Sequence, residues 1–169
     1  MSSEKNNDLY NKKILKTKIV IPPKNIDNNI ENTIYQKIKD KVSNKCIEAG
    51  HIQPDSIKIL HISDGVVSLS DLNGNINFDV SYEAIVCNPF ENQILVCNVL
   101  EINKTTVQAY IEDKEYSPLN IFLTKQHNLN NEEYVNLKIN DNIQVEVLYK
   151  NYNFNDKQIL VFSKLIKKL

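Results

Sequence analysis

The apolar positions near the start of the chain indicate a strand, and those that follow recur with a helical period. Residues 14–21 predict a first β-strand, which must end at Pro22, because proline cannot donate to a strand ladder. From Ile30 to Val42 the apolar residues recur at every fourth position, which predicts an amphipathic helix. Asn28 and Glu31 stand three positions apart, so we expect a capping box at the start of this helix.

Three β-type runs follow the helix, over residues 56–62, 66–70 and 76–87. An Asp-Gly pair at Gly65 separates the first two runs, and an Asn-Gly pair at Gly74 separates the last two. Both pairs favour tight hairpins, because a type I′ turn needs positive φ at its two central residues. The first 85 residues therefore predict an α+β domain, in which a small antiparallel sheet carries one helix.

Beyond Pro89 the pattern becomes all-β. The apolar runs cover residues 94–102, 105–111, 119–123, 143–150 and 158–165. Five short strands with a long polar connection after the third are typical of an OB-type five-stranded barrel. We therefore expect three segments: a disordered tail over 1–8, an N-terminal domain over 9–85 and a barrel domain over 86–169.

Charge limits the ligands that the protein can bind tightly. The 169 residues carry a net charge of −1, and all 20 basic residues are lysine, so no guanidinium group is available to grip phosphates. Residues 1–60 hold 11 Lys against 7 acidic residues, and residues 61–169 hold 9 against 14. Tight nucleic-acid binding that does not depend on sequence needs a large basic excess. Any such contact should therefore be weak and local.

Composition also indicates where the protein acts. The first eight residues are polar, unlike a signal peptide, and no apolar run approaches the ~20 residues that span a membrane. Three cysteines without C-x-x-C spacing indicate reduced thiols in a cytosolic or nuclear compartment. The heavy use of Asn, Lys and Ile, the residues of A/T-rich codons, indicates a low-GC genome.

The sequence contains little that could perform catalysis. Cys46 and His51 share a loop and could act as a nucleophile and its base, but no third orienting group is evident. The scattered Cys and His residues do not suggest a metal site. Three glycines cannot form a phosphate-binding loop. We therefore expect no catalytic site, no metal and no cofactor.

The junction between the two predicted domains is the most specific stretch. Residues 82–90, Tyr-Glu-Ala-Ile-Val-Cys-Asn-Pro-Phe, resemble the Tyr-x-Ala-(Ile/Val)-x-x-x-Pro-Phe junction of one family. That family is the seventh subunit of eukaryotic RNA polymerase II, with its archaeal counterpart and its relatives in large DNA viruses. Residues 102–104 and 121–125 are similar to the family's Val-Asn-Lys and Cys-Phe-Ile-Ser-Arg. Residues 18–23 and 32–37 are similar to its first strand and its helix.

The resemblance implies a non-catalytic stalk subunit of a multisubunit DNA-directed RNA polymerase. In the family, the N-terminal domain docks near the clamp of the core enzyme through a tip loop, and the OB domain stands near the exiting RNA. The implied partners are the large polymerase subunits, nascent RNA bound weakly and, in cellular polymerases, a small helical stalk partner. No membrane contact is implied.

The expected docking residues lie on the loop that matches the family's tip. They are Cys46, Ile47, Ala49, Gly50, His51 and Ile52. An exposed apolar loop of this kind often marks an interface. The loop keeps one glycine where the family has Gly-x-x-Gly, and the alternative is that Ile47 and Ile52 fold back on the helix.

The expected RNA-binding residues lie on the open face of the barrel. They are Lys104, Tyr110, Phe122, Lys125, His127, Tyr149 and Lys150. Aromatic rings there would stack on bases, and lysines would contact phosphates. The alternative places Phe122 in the core. Because Thr106 and Gln108 stand where the family often has Gly and an aromatic residue, RNA binding should be weaker than in the family.

Two questions stay open at the level of sequence. A free-standing OB-fold RNA-binding protein, such as a translation or RNA-decay factor, is the alternative to a polymerase subunit. A low-GC cytoplasmic DNA virus, the preferred source, would place the protein in the virion and the host cytoplasm, and a cellular source would place it in the nucleus.

Overall fold

A computed structural model of the chain describes residues 7–26, 28–69, 73–112 and 115–169. The strands are β1 Tyr10–Ile21, β2 Cys46–Ile47, β3 Gly50–Ile52, β4 Lys58–Ile62, β5 Val66–Val67, β6 Ile76–Cys87, β7 Ile94–Ile102, β8 Thr106–Tyr110, β9 Leu119–Thr124, β10 Asn142–Asn151 and β11 Ile159–Lys168. The helices are α1 Ile30–Val42 and α2 Glu132–Val135, with 3-10 turns at Asn7–Leu9, Pro23–Asn25 and Lys125–Asn128. The predicted disordered tail falls largely on residues 1–6, outside the described residues.

The first six strands form the predicted small antiparallel sheet. Its order is β1-β6-β3-β2, and β4 and β5 also pair with β6. The helix α1 buries Ile34, Ile38 and Val42, the face that the fourfold spacing predicted. The Lys41 ammonium donates to the Thr17 hydroxyl of β1 at 3.1 Å. The α+β part of the predicted fold is thereby confirmed.

Two local predictions about this part of the chain are wrong. The helix is capped by Asn29 and not by Asn28, and no side-chain cap hydrogen bond forms. The Asp-Gly pair at Gly65 does not make a hairpin, because β4 and β5 each pair with β6, at residues 80–83 and 76–77. Gly65 instead lies close to β6, since an added Cβ would be 2.6 Å from Ile76 Cγ2 and the side chains of β6 would have to shift to make room for it.

The last five strands close into a barrel in the order β10-β11-β9-β8-β7. The pairs of neighbours are antiparallel except β9 with β11, which are parallel. A parallel third and fifth strand, with the fourth strand returning beside the first, gives the OB-type barrel that the strand spacing predicted. Alternate residues of these strands fill its interior, including Leu95, Val107, Ile121, Val145 and Val161.

The polar segment that follows β9 covers the barrel at the point where β9 and β11 no longer pair. The buried side chain of Asn128 accepts from the Leu165 N–H at 2.8 Å and donates to the Thr124 carbonyl at 2.8 Å. The Asn131 amide donates to the Leu165 carbonyl at 3.2 Å. Side-chain amides therefore replace the missing backbone ladder at this seam.

The chain folds into two compact units, and each unit is built from segments that are separated in the sequence. The barrel unit contains the described residues through Asn11, Lys45–His51 and Cys87–Leu169. The sheet unit contains Lys12–Asn44 and Ile52–Val86. The predicted docking loop, apart from Ile52, thus belongs to the compact unit that holds the barrel.

Candidate functional site

Three aromatic rings form a ladder across the outer face of the barrel. Phe162 of β11 lies between Phe122 of β9 and Tyr149 of β10, in cross-strand register with both. Its ring centroid is 5.7 Å from that of Phe122, with 27° between the planes, and 4.5 Å from that of Tyr149, with 15°. These three residues, the aromatic ladder, give the barrel an aromatic surface that spans three neighbouring strands.

The position of Phe122 decides between the two interpretations of the sequence. Its neighbours Ile121 and Leu123 are buried on the inner face of the barrel, so Phe122 points outward. The alternative that placed Phe122 in the core is therefore wrong.

Phe162 is a member of the ladder that the sequence did not reveal, whereas Phe122 and Tyr149 were both predicted. The position of Phe162 depends on the parallel pairing of β9 with β11, which links residues 40 positions apart in the chain. The alternation of β11 predicts only that Phe162 and Val161 face opposite sides. Which rings lie beside Phe162 follows from the strand order alone.

The two ends of the aromatic ladder differ. Beside Phe122 lies Gln108, its cross-strand partner on β8, whose amide donates to the Asn120 side chain at 2.7 Å. At the other end Tyr149 is 45% exposed. Because rings that stack on one another cover each other's faces, a further planar group can add only at an end. The Tyr149 end is the more accessible of the two.

Lys150 was predicted to contact RNA, but its ammonium has other partners. It donates to the Asn88 side chain and, at 2.6 Å, to the Pro89 carbonyl. Both acceptors belong to the junction motif that precedes the barrel. The structure thus gives Lys150 a role in fixing this segment, and its charge is already engaged there.

The other predicted RNA-binding residues are divided between the two ends of β8 and β9. Lys104 and Lys125 are exposed near one end, where the Lys125 N–H donates to the Thr105 carbonyl at 2.9 Å. His127 is also exposed, and its Nδ1 lies 2.8 Å from the Thr124 hydroxyl. Tyr110 is half-buried at the opposite end of β8. The structure therefore does not gather all seven predicted residues into one site.

A surface cavity of about 710 Å³ adjoins the seam of the barrel. His127, Leu129 and Lys164 line it, together with side-chain amides and carboxylates of residues 126–133 and Glu146. Its lining carries both signs of charge, so it does not form a basic groove for phosphates.

The predicted docking loop is a short hairpin of β2 and β3. Cys46, Gly50, His51 and Ile52 are buried, and Ile47 and Ala49 are half-buried. The expectation of an exposed apolar loop is therefore wrong for four of these six residues.

Hydrogen bonds hold this hairpin within the barrel unit. Two of them join backbone groups: the Cys46 N–H donates to the Asp156 carbonyl at 2.7 Å, and the Asn155 N–H donates to the Cys46 carbonyl at 2.9 Å. In the other two, side chains donate to the hairpin: the Asn88 amide donates to the Ala49 carbonyl at 3.0 Å, and the Tyr152 hydroxyl donates to the Glu48 carbonyl at 3.1 Å. The hairpin is thus tied to the barrel through backbone groups, which a partner could not reach without breaking these bonds. Its docking role stays a prediction.

Electrostatics at the hairpin disfavour a thiolate nucleophile. Cys46 and His51 are cross-strand partners, as their shared loop suggested. Burial raises the pKa of the Cys46 thiol to about 11 and lowers the pKa of His51. Burial also raises the pKa of the Cys87 and Cys97 thiols. All three thiols are therefore protonated at neutral pH, and a thiol is a poor nucleophile.

The described residues contain no group of three or more His, Cys, Asp or Glu side chains arranged to hold a metal ion. Within the same residues, neither helix is long and apolar enough to cross a membrane.

The fold and the outer face of the barrel define the class of the protein: an α+β sheet unit joined to an OB-type barrel with an aromatic outer surface. No family model matches the chain. A protein of Acanthamoeba polyphaga mimivirus, provisionally named a DNA-directed RNA polymerase subunit, is 26% identical over 94% of this chain and 82% of its own length. The predicted resemblance to the polymerase subunits of large DNA viruses is confirmed by this similarity.

Proposed function

We propose that the chain is a non-catalytic stalk subunit of a multisubunit DNA-directed RNA polymerase. The observation that carries the proposal is the extent of the viral similarity, which covers 94% of the chain and therefore includes both units. The sheet unit docks on the core enzyme near the clamp, and the barrel stands near the exiting RNA. Its partners are the large polymerase subunits, and a small helical chain is the candidate for a second stalk subunit.

The barrel contributes a weak RNA contact. The aromatic ladder offers one accessible end for base stacking, and stacking on an aromatic side chain is worth roughly 1–3 kcal/mol per base. Residues 87–169 hold 9 Lys against 10 acidic residues, so long-range attraction of RNA is small. Lys104, Lys125 and His127 supply the local phosphate contacts. This combination suits a transcript that is already held nearby by the polymerase.

The protonated thiols and the burial of the hairpin support a non-catalytic role. Cys46 has no thiolate character at neutral pH, because burial holds its pKa at about 11. We assign the protein to the virion and the host cytoplasm of a low-GC DNA virus. The viral source of the relative and the A/T-rich composition of the chain both favour this location.

Affinity purification of the tagged chain from its native cells tests the proposal. We expect the large polymerase subunits to co-elute in amounts equal to the tagged chain. Recovery of a monomer that carries RNA but no polymerase subunit would contradict the proposal and favour the free-standing OB-fold protein.

A further inference from the structure

A surface cavity of about 540 Å³ lies on the sheet unit. Three neighbouring strands line it: β1 supplies Lys16 and Lys18, β6 supplies Asp79 and Ser81, and β4 supplies His61. Pockets that bind small molecules usually have volumes of roughly 300–1,000 Å³. The cavity is therefore large enough to hold a small ligand.

The backbone of β1 places both lysines on the same side of the sheet. Thr17 stands between them, and its hydroxyl accepts a hydrogen bond from the Lys41 ammonium of α1 at 3.1 Å, so its side chain faces the helix. Adjacent residues of a strand point to opposite faces. Lys16 and Lys18 therefore point away from the helix, with their Cα atoms about 7 Å apart along the strand.

Hydrogen bonds fix the other wall of the cavity. The Ser63 N–H donates to the Asp79 carbonyl at 2.9 Å, and the Ser63 hydroxyl accepts from the Asp79 N–H at 2.9 Å. His61 and Ser81 are direct cross-strand partners, so their side chains lie next to each other on one face. The imidazole and the Ser81 hydroxyl thus line the cavity together with the two lysines.

The ammonium groups in the cavity are not neutralised by the chain itself. Both lysine side chains are exposed, and among the residues that the structure describes neither Lys16 nor Lys18 forms an ion pair. Lys12 lies on the same side of β1 but outside the cavity, and its ammonium is 3.1 Å from the Glu83 carboxylate. Two lysines against one aspartate leave the cavity with a net positive charge.

The small extent of this positive charge favours a compact anion over a nucleic-acid strand. Binding along a strand needs a basic groove that follows successive phosphates. Here the free positive charge ends at Lys12, which is paired with Glu83, and Asp79 would repel a second phosphate of a strand. A terminal phosphate carries close to two negative charges and three acceptor oxygens, so it can use two ammonium groups and neutral donors at once.

We propose that this cavity binds a small molecule with a terminal phosphate or pyrophosphate group, a function separate from the proposed docking and RNA contact. Lys16 and Lys18 hold the phosphate oxygens as point charges, as they must in a chain without arginine. His61 and Ser81 donate further hydrogen bonds. The Asp79 carboxylate accepts from a hydroxyl of the ligand.

Titration of the full chain with inorganic pyrophosphate tests the site, with the backbone amides followed by nuclear magnetic resonance. We expect saturable shifts concentrated in residues 16–18, 61–63 and 79–81. This map comes from the wild-type chain and does not depend on any variant folding. Shifts that do not saturate, or that lie mainly outside these residues, would overturn the proposal.

The double variant Lys16→Met and Lys18→Met should weaken pyrophosphate binding at least about tenfold, because hydrogen bonds to charged groups contribute more than neutral ones. Lys12→Met is the matched control, since Lys12 lies on the same side of the same strand and is already paired. Its affinity should stay within about twofold of wild type. Circular dichroism and thermal melts check that both variants fold.

Two further results would contradict the site. An equal loss of affinity in Lys12→Met would mean that the lysines act only through general positive charge. A single-stranded oligonucleotide that shifts the same residues and binds there more tightly than pyrophosphate would assign the cavity to a nucleic-acid strand.

Discussion

His51 combines burial with an absence of hydrogen-bond partners. The residue is 2% exposed, and among the described residues its two ring nitrogens are the buried side-chain atoms left without a partner. Burial lowers its pKa below the ordinary 6.5, and an interaction with the Lys157 backbone, outside good hydrogen-bond geometry, opposes this only in part. The ring is therefore neutral at pH 7 and contributes to the hairpin through packing alone.

Replacing His51 with leucine should raise the free energy of unfolding at pH 7.5 by about 1 kcal/mol, because an unpartnered buried polar group costs roughly 1–3 kcal/mol. The pH dependence should change as well. Since the folded state resists protonation of His51, the wild type loses stability as pH falls below 6.5, until the lowered pKa is reached. Thermal melts should show that His51→Leu loses less stability than the wild type between pH 7.5 and pH 5.5.

His61→Leu is the matched control, because His61 is exposed on β4. It should leave stability at pH 7.5 within about 0.5 kcal/mol of wild type. A His51→Leu variant that is clearly less stable than wild type at neutral pH would mean that the imidazole has a polar partner.

At the scale of elements, the aromatic ladder joins three strands through rings that are distant in sequence. Each stacked pair adds about 0.5–1.5 kcal/mol beyond the area it buries, so the ladder stabilises the barrel as well as offering a surface. Its Tyr149 end is the one open to a base. The ladder should therefore bind one base at a time and with little preference for sequence.

Tyr149→Leu should weaken binding of single-stranded RNA by about fivefold to a hundredfold, because leucine keeps the bulk and removes the π face. Fluorescence anisotropy with a labelled oligonucleotide at fixed salt measures the change. Salt should affect the wild-type affinity only modestly, since few lysines are available.

Lys150→Met is the control at the neighbouring position. Loss of its hydrogen bonds to Asn88 and Pro89 should lower the free energy of unfolding by about 2 kcal/mol, while the RNA affinity of the folded chain stays unchanged. If Lys150→Met weakens RNA binding as much as Tyr149→Leu, the open end of the ladder is not the binding site.

Elements with a strong, uninterrupted pattern could be predicted from the sequence. The bounds of β6 and β7 agree with the predicted runs, because alternation and turn residues define both ends. Gly65 misled the prediction, since its Asp-Gly pair is equally compatible with a hairpin and with close packing against β6. The residues next to Gly65 in the sequence do not show which strand it packs against.

The candidate sites depend more on tertiary pairing than the strands do. Phe162 could not be recognised, because its neighbours Phe122 and Tyr149 come from β9 and β10 through register alone. The hydrogen bonds of Lys150 could not be predicted for a similar reason: its acceptors lie 61 and 62 residues away in the chain.

At the scale of the whole molecule, the two units have different proposed roles: the sheet unit docks on the polymerase, and the barrel unit contacts RNA. The sheet unit exposes the apolar side chains of Leu60, Val66, Val67 and Leu69, and the barrel unit carries the aromatic ladder and most of the hairpin. The two units therefore expose different chemistry, since the sheet unit presents aliphatic side chains and the barrel unit presents an aromatic ring that suits a planar base. This difference is what a subunit needs if it is to dock and to contact RNA at the same time.

The most direct test is lysine cross-linking and mass spectrometry of the purified polymerase that contains the chain. We predict that cross-links to the large polymerase subunits come mainly from lysines of the sheet unit, such as Lys58 of β4. Cross-links to those subunits from barrel lysines alone, such as Lys104 and Lys164, or from no lysine of this chain, would contradict the proposed function.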